Sequence, residues 1–323
     1  MEWIVFLVMF WNVENFFTDK PHFRDKCNGI AKTVMLVGDE FGTFPDIIGL
    51  AEVDSRQAVQ KLLSRTALRK LDYGIVHYDS PDRRGIDCAL LYRRSSFRKL
   101  FSKPCHITDT LGHILPTRDI LLVILEPLPA AGESSPWRDS AHFVRSGPSH
   151  RIQRGLRPLV SGGPLPLPVS GGGHALQGLA PRRECIAVLI NHHPSKVGKG
   201  SDERRELAMA RLQALKDSLM AEGIRRIVAV GDFNDEVTPA PGVTPAYPEG
   251  AGTIRFQGRW EKIDGCPVLE GFEAREHIFA PPHLSTRDTR YPGLKPLRTF
   301  SGPRYLGGLS DHYPIILECL ELN

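Results

Sequence analysis

Ile227-Val228-Ala229-Val230-Gly231-Asp232-Phe233-Asn234-Asp235 is the stretch on which the fold turns. Its first four residues are a continuous, mostly β-branched apolar run, which reads as a strand buried on both faces. The run stops at a glycine and then delivers two carboxylates and an amide. Polar groups so placed stand at the carboxyl edge of a sheet, where open α/β folds bind ligands. Gly, Asn and Asp are equally the residues of an ordinary polar turn, so the neighbouring segments have to decide.

Upstream, Asp202 to Ala221 carries Ala208, Leu212, Leu215 and Leu219 at helical spacing, with Ser201 as the N-cap and Gly223 as the stop. Before it, the apolar strand Cys185–Ile190 ends in Asn191-His192-His193-Pro194-Ser195, so that two histidines meet the same kind of sheet edge. Earlier strands are expected at Ile120–Leu125, entered through Thr117-Arg118-Asp119, at Asp87–Tyr92 and at Tyr73–His77. Asp87 is either a site residue or a strand-start hydrogen-bonder. In Asp46-Ile47-Ile48-Gly49-Leu50-Ala51-Glu52-Val53, a carboxylate closes an apolar strand, and burying it unpaired is costly unless a cation neutralises it. A helix capped by Ser55 follows, with Ala58, Val59, Leu62 and Leu63 inward, and another is expected over Asn28–Phe41. The N-terminal strand runs into Trp11-Asn12-Val13-Glu14-Asn15, where alternation should put Asn12 and Glu14 on one face.

Composition narrows the class. With 323 residues the chain is long enough for one large α/β domain, and a formal charge of +4 is too mild for a dedicated nucleic-acid binder. The six cysteines form no Cys-x-x-Cys pair, which argues against a zinc site or a disulfide framework and for buried apolar thiols. No run of 18 apolar residues is present, so no membrane span is expected. Met1 to Phe10 carries a glutamate where a signal peptide needs a cation, which makes a cytoplasmic protein the expectation, or a secreted one if a signal lies upstream of this chain. From Glu126 to Glu184 the 59 residues hold nine glycines, nine prolines and seven arginines without a lysine. That composition reads as a disordered insertion, or as a segment whose sequence has lost its original meaning, within a single domain spanning residues 1–323.

Downstream, Gly258-Arg259-Trp260-Glu261-Lys262-Ile263-Asp264 brings a further acid, and Leu309-Ser310-Asp311-His312-Tyr313-Pro314 stands directly before the last apolar strand. Asn12-x-Glu14, Glu52, Asp232-x-Asn234 and Asp311-His312, in that order and spacing, resemble the endonuclease/exonuclease/phosphatase superfamily of DNase I-like enzymes. The flanking motifs look most like its bacterial branch. The resemblance covers nearly everything outside residues 126–184. It implies a four-layer sandwich, two mixed β-sheets face to face with helices outside; separately, a monomer is expected.

Carried over by motif, Glu52 resembles the principal Mg2+ ligand, with Asn12 beside it, Glu14 near a second ion position and Asp311 next to the metal; Mn2+ is a plausible substitute. Asp232 resembles the residue that orients or deprotonates the attacking water. Asn234 and Arg118, together with Asn12, resemble the groups that hold phosphate oxygens. His312 resembles the catalytic histidine, oriented by Asp264, and His192 the second histidine of the nuclease branch, whereas His193 reads as a wall contact. Hydrolysis of a phosphoester needs a positioned water, an acceptor for its proton and positive charge around the phosphoryl oxygens, which this set supplies. The expectation is therefore Mg-dependent phosphodiester hydrolysis of nuclease type, with DNA or RNA bound through backbone phosphates. The alternatives are a phosphomonoesterase for a lipid headgroup or sugar phosphate, and a non-catalytic phosphate-binding module disabled by the insertion.

Overall fold

The apolar run that opens the chain becomes β1 (Ile4–Phe16), and its alternation divides two cores. Leu7, Met9, Trp11 and Val13 point to one side, where they join Ile30, Val34 and Val37 of α1 (Phe23–Phe41) and Ala58, Val59 and Leu62 of α2 (Arg56–Arg65). Phe6, Val8 and Phe10 are buried on the other side, towards a second sheet. A strand covered on both faces must be apolar throughout, which is why β1 reads as a continuous run. The computed structural model describes residues 4–129, 184–196, 200–302 and 304–320.

Between and after these helices come β2 (Ile47–Val53), β3 (Tyr73–His77), β4 (Asp87–Arg93), β5 (Phe97–Cys105) and β6 (Ile120–Pro127). The second half continues through β7 (Ile186–His192), α3 (Ser201–Ala221), β8 (Arg226–Asp232), β9 (Val243–Pro245), the hairpin β10 (Ile254–Phe256) and β11 (Arg259–Glu261), then β12 (Asp264–Glu270) and β13 (Glu273–Ile278). Two small hairpins, β14 (Ser285–Arg287) with β15 (Leu294–Pro296) and β16 (Phe300–Ser301) with β17 (Arg304–Tyr305), precede β18 (Ile315–Leu320).

Seven strands form one mixed sheet in the order β3-β4-β2-β1-β18-β13-β9, and five form another in the order β12-β8-β7-β6-β5. Strands β1, β2 and β4 lie against β6, β7 and β8, so the sheets face each other. The approach is close at Gly49, where a Cβ would stand 2.6 Å from Ile190. Since β7 and β8 are parallel neighbours, α3 must cross over a face of its sheet, and the inner face is taken. It buries Ala208, Leu212, Leu215 and Leu219, the stripe expected from sequence. Helices outside two mixed sheets complete the expected architecture. All six cysteines are buried free thiols, as expected from their scatter.

Local differences have local causes. Helix α1 begins at Phe23 rather than Asn28, and its first turns bury Lys26 beside Cys27, a charged side chain where the apolar stripe would continue. The N-cap of α3 is Gly200 in the left-handed region, and Ser201 is the first helical residue, its hydroxyl donating to the Lys196 carbonyl. Strand β5 was not anticipated: its sequence Phe-Arg-Lys-Leu-Phe-Ser-Lys-Pro-Cys is that of a polar sheet edge, and its Pro104 is tolerated there. At the start of the glycine- and proline-rich stretch, Glu126 and Pro127 belong to β6. The expectation of disorder for the remainder falls on residues 130–183, outside the described residues.

Candidate active site

The register of three neighbouring strands builds the site. His192 of β7 lies opposite Asp232 of β8, and Asp232 lies opposite Asp264 of β12, so the three side chains form one row across the sheet edge. From the other sheet, Asn12 of β1 lies beside Ala51 of β2, next to Glu52. Gly231 permits the crowding at the end of β8, since a Cβ there would stand 2.5 Å from the Asn191 carbonyl oxygen on the adjacent strand.

Asp232 is 1% exposed and sits at the centre. Its Oδ1 accepts from the Asn234 backbone N–H at 2.9 Å and its Oδ2 from the Asn12 amide at 3.0 Å. His192 Nε2 stands 3.6 Å from Oδ2 and His312 Nε2 stands 3.9 Å from it. Burial, reinforced by the nearby Asp264 carboxylate, pushes the Asp232 carboxyl up to about 7 against the pull of His312, Asn12 and the Asn234 N–H.

His312 Nδ1 donates to Asp264 Oδ2 at 2.8 Å. Burial alone would depress this imidazole, but the Asp264 and Asp232 carboxylates outweigh it and hold its pKa well above the ordinary value. His192 goes the other way: burial, with Arg118 and Arg84 nearby, keeps it well below the ordinary range and hence neutral. The row thus joins a hard-to-ionise acid, a cationic imidazole and a neutral one, the separation of proton affinities that acid–base chemistry requires.

Glu52 lies at the mouth, with Oε2 accepting from the Asn15 N–H at 2.8 Å and Oε1 lying 3.4 Å from the Asn12 amide nitrogen. It holds φ +64, a left-handed conformation that a glutamate adopts only where its surroundings impose it. Asp311, its side chain 27% exposed, pairs with Arg298 at 3.0 Å. Glu52 and Asp311 are the partly open carboxylates of the site, and hard oxygen donors of this kind fit Mg2+. Among the described residues, Asp232, Asp264 and His312 also present ligand atoms within 4.8 Å of one another.

Three of the expected site residues have partners within the protein. The alternation after Asn12 breaks at Glu14 and Asn15, both at positive φ in a bulge of β1, so Asn12 and Glu14 do not share a face. The Glu14 carboxylate accepts from Arg298 at 2.9 Å and from the Thr299 N–H at 2.7 Å. Arg118 is buried: its guanidinium donates to the main-chain oxygens of His192 and His193 and pairs with Asp82 at 3.1 Å. It ties the end of β7 to the loop before β4 rather than presenting an open fork to phosphate. The Asn234 amide nitrogen donates to the His193 carbonyl at 3.0 Å. His193 itself packs edge-on against Phe233 at 4.8 Å, the wall contact expected of it. Asp87 takes the strand-start role, accepting from the Ser80 N–H at 2.8 Å and standing 3.3 Å from His77.

Two further residues contribute. Lys26 is buried, and its Nζ donates to the Glu14 carbonyl and to the Thr299 hydroxyl at 2.6 Å. The Ser310 hydroxyl donates to the Asn12 carbonyl and accepts from the His312 N–H at 3.0 Å, joining β1 to the histidine. Thr299 lies 273 residues from Lys26 and Asn12 lies 298 from Ser310, and of the two contributors only Ser310, inside Ser-Asp-His, stands in a motif.

A family model described as "Endonuclease/Exonuclease/phosphatase family" matches residues 9–127 and 241–321. The chain belongs to that family. Family members are phosphoesterase hydrolases, generally dependent on a divalent metal. No curated protein sequence matches the chain significantly. Among solved structures, it is similar to an endonuclease/exonuclease/phosphatase family protein of Bacteroides thetaiotaomicron (13% identity, TM-score 0.53, covering 98% of each chain). It is also similar to truncated TDP2 of Caenorhabditis elegans (15%, TM-score 0.54, 98% of each chain). A mannosyl-6-phosphatase of Bacteroides thetaiotaomicron gives 13% identity and a TM-score of 0.54 over 97% of this chain and 99% of that one. At these identities the likeness establishes the endonuclease/exonuclease/phosphatase fold.

Proposed function

We propose that this protein hydrolyses phosphodiesters of nuclease type with a divalent metal, Mg2+ or Mn2+, held by Glu52 and Asp311 with the Asn12 side chain beside them. The observation that carries the reading is the row His192–Asp232–Asp264 closed by His312, with the Asp232 carboxyl raised to about 7. A bound cation would supply positive charge to the phosphoryl oxygens and lower the proton affinity of nearby oxygen groups.

The protein's own residues do the rest. Asp232 accepts the proton of the attacking water, a task suited to an acid with a pKa near neutrality. His312, kept protonated by Asp264, donates a hydrogen bond and charge to the phosphoryl group. Neutral His192 offers a further hydrogen bond beside Asp232. Asn12 keeps Asp232 and Glu52 apart while bonding both.

Charge favours a diester over a monoester. The two guanidiniums beside the site, Arg118 and Arg298, are already paired with Asp82 and with Glu14 and Asp311. A singly charged diester therefore matches the remaining cationic character better than a dianionic monoester. DNA or RNA would be engaged through backbone phosphates, with affinity falling steeply as salt rises.

The test is turnover of plasmid DNA, single-stranded RNA, a generic diester and sugar or inositol monophosphates, with Mg2+, Mn2+ or EDTA. Diester cleavage abolished by EDTA and lowered about 100-fold or more by Asp232→Asn or His312→Gln is expected. Exclusive turnover of monoesters would transfer the site to the phosphatase reading, and no turnover of any substrate would refute hydrolysis.

A further inference from the structure

Behind the dyad lies a buried ion pair that the chemistry above does not use. Lys262, between β11 and β12, places Nζ 2.8 Å from Oε2 of Glu276, whose side chain is fully buried on β13. Glu276 is saturated from elsewhere too: Oε1 accepts from the Cys266 N–H at 3.1 Å and Oε2 from the Tyr247 hydroxyl at 3.0 Å. Burying two charges costs several kcal/mol per ion, so a pair of this kind is weak evidence for stability and is better examined for what it positions.

The Lys262 Nζ also donates to the main-chain carbonyl of Asp264 at 3.2 Å. On the other side of that residue, the Asp264 N–H donates to the Thr253 hydroxyl at 3.3 Å. Thr253 is fully buried, and its carbonyl accepts from the N–H of Tyr313, the residue after His312, at 2.8 Å. Both ends of the Asp264 main chain are thereby fixed, one by Lys262 and one by a residue that also holds the His312 segment.

The pair further joins the two sheets. Asp264 and Cys266 lie on β12 of the five-stranded sheet, whereas Glu276 lies on β13 of the seven-stranded sheet, directly opposite Leu317 of β18. His312 is three residues before β18. Since the 2.8 Å contact between Asp264 and His312 crosses from one sheet to the other, its length depends on how the sheets are registered, and Lys262–Glu276 spans that same gap.

We propose that the Lys262–Glu276 pair is the positioning device of the Asp264–His312 dyad, holding the Asp264 main chain in place and the two sheets in register at the site. The inference rests on the proposed hydrolysis for its kinetic consequence but not for its structural one. The variants are Lys262→Met, the conservative Lys262→Arg, Asp264→Asn, the double Lys262→Met/Asp264→Asn, and Tyr247→Phe, which removes one donor to Glu276 and keeps the packing. Folding is checked by thermal melting, and the His312 Nδ1 proton is followed by NMR with 15N-labelled histidine.

In folded Lys262→Met, the Nδ1 proton resonance moves upfield or exchanges into solvent. Its kcat falls about ten- to hundredfold with KM within about twofold, as for a partner one layer behind a reacting group. Lys262→Arg restores most of the rate, and Lys262→Met adds nothing in the Asp264→Asn background, because both act through one bond. If Lys262→Met does not fold, the same resonance shift, smaller, is expected in Tyr247→Phe.

An unchanged Nδ1 resonance in the folded variants overturns the proposal, as does a rate loss that multiplies in full with that of Asp264→Asn. An Asp264→Asn variant as active as the wild type refutes instead the hydrolytic reading of the site, and the NMR result decides the positioning role independently.

Discussion

Asp232 owes its usefulness to being uncomfortable. A carboxyl raised to about 7 by burial and by Asp264 holds its proton at mildly acidic pH, and a divalent cation beside it favours the carboxylate. Metal binding at or below about pH 7 should then release a proton, with apparent affinity rising as pH rises through that value. Calorimetric titration with Mg2+ in buffers of different ionisation enthalpy measures the release, which Asp232→Asn should abolish. His193 gives the opposite case. Burial, with Arg118 and Arg205, lowers its pKa from 6.5 to about 3, so the unfolded chain takes up the proton first as pH falls. The contribution of neutral His193 is complete above 6.5 and is lost as pH falls through about 3. Urea unfolding between these limits should show a shallower acid dependence in His193→Gln than in the wild type. At this scale the motif residues were legible: Glu52, Asp232, Asp264 and His312 carry carboxylates or an imidazole at strand ends, where their chemistry shows. Lys262, Glu276, Thr253 and Lys26 were not, since each acts through a partner brought near only by the folded sheets, and Arg118 was legible in position but not in occupation.

Among the elements, the helices whose apolar stripes are uninterrupted were the easiest to read, and the polar first turns of α1 concealed its start. Strand register is a different kind of information. Nothing in the two segments says that His192 will stand opposite Asp232 rather than one residue away, yet a slip of one would turn either side chain to the other face. Gly231 helps to hold that register by letting β7 approach. Gly231→Ala would force a Cβ to within 2.5 Å of the Asn191 carbonyl. A loss of about 1–3 kcal/mol in chemical denaturation is expected from such overpacking, together with reduced turnover. Retention of both would mean that the strand ends can part without consequence.

In the whole molecule, the site exists only where two sheets meet, since Asp232, Asp264 and His192 come from one, and Asn12 and Glu52 from the other. The glycine- and proline-rich stretch enters and leaves at the opposite kind of place. Strands β6 and β7 are antiparallel neighbours with Leu125 opposite Ile186, so their ends are close enough for a short turn. Replacing residues 130–183 by a two- to five-residue turn of glycine and asparagine should keep the melting temperature within a few degrees and leave turnover intact. A collapse of the melting transition would assign that stretch a structural part, and a gain of activity would make it an inhibitor.

The cysteines give the protein a set of internal clocks. Cys27, Cys88 and Cys319 belong to the layers around the seven-stranded sheet, and Cys105, Cys185 and Cys266 to the five-stranded one. Burial pushes every one of these thiols up, Cys27 to about 12 and Cys105 to about 11, so a disulfide reagent in native buffer meets almost no thiolate until a layer opens. The order in which the six are modified therefore records which sheet comes apart first.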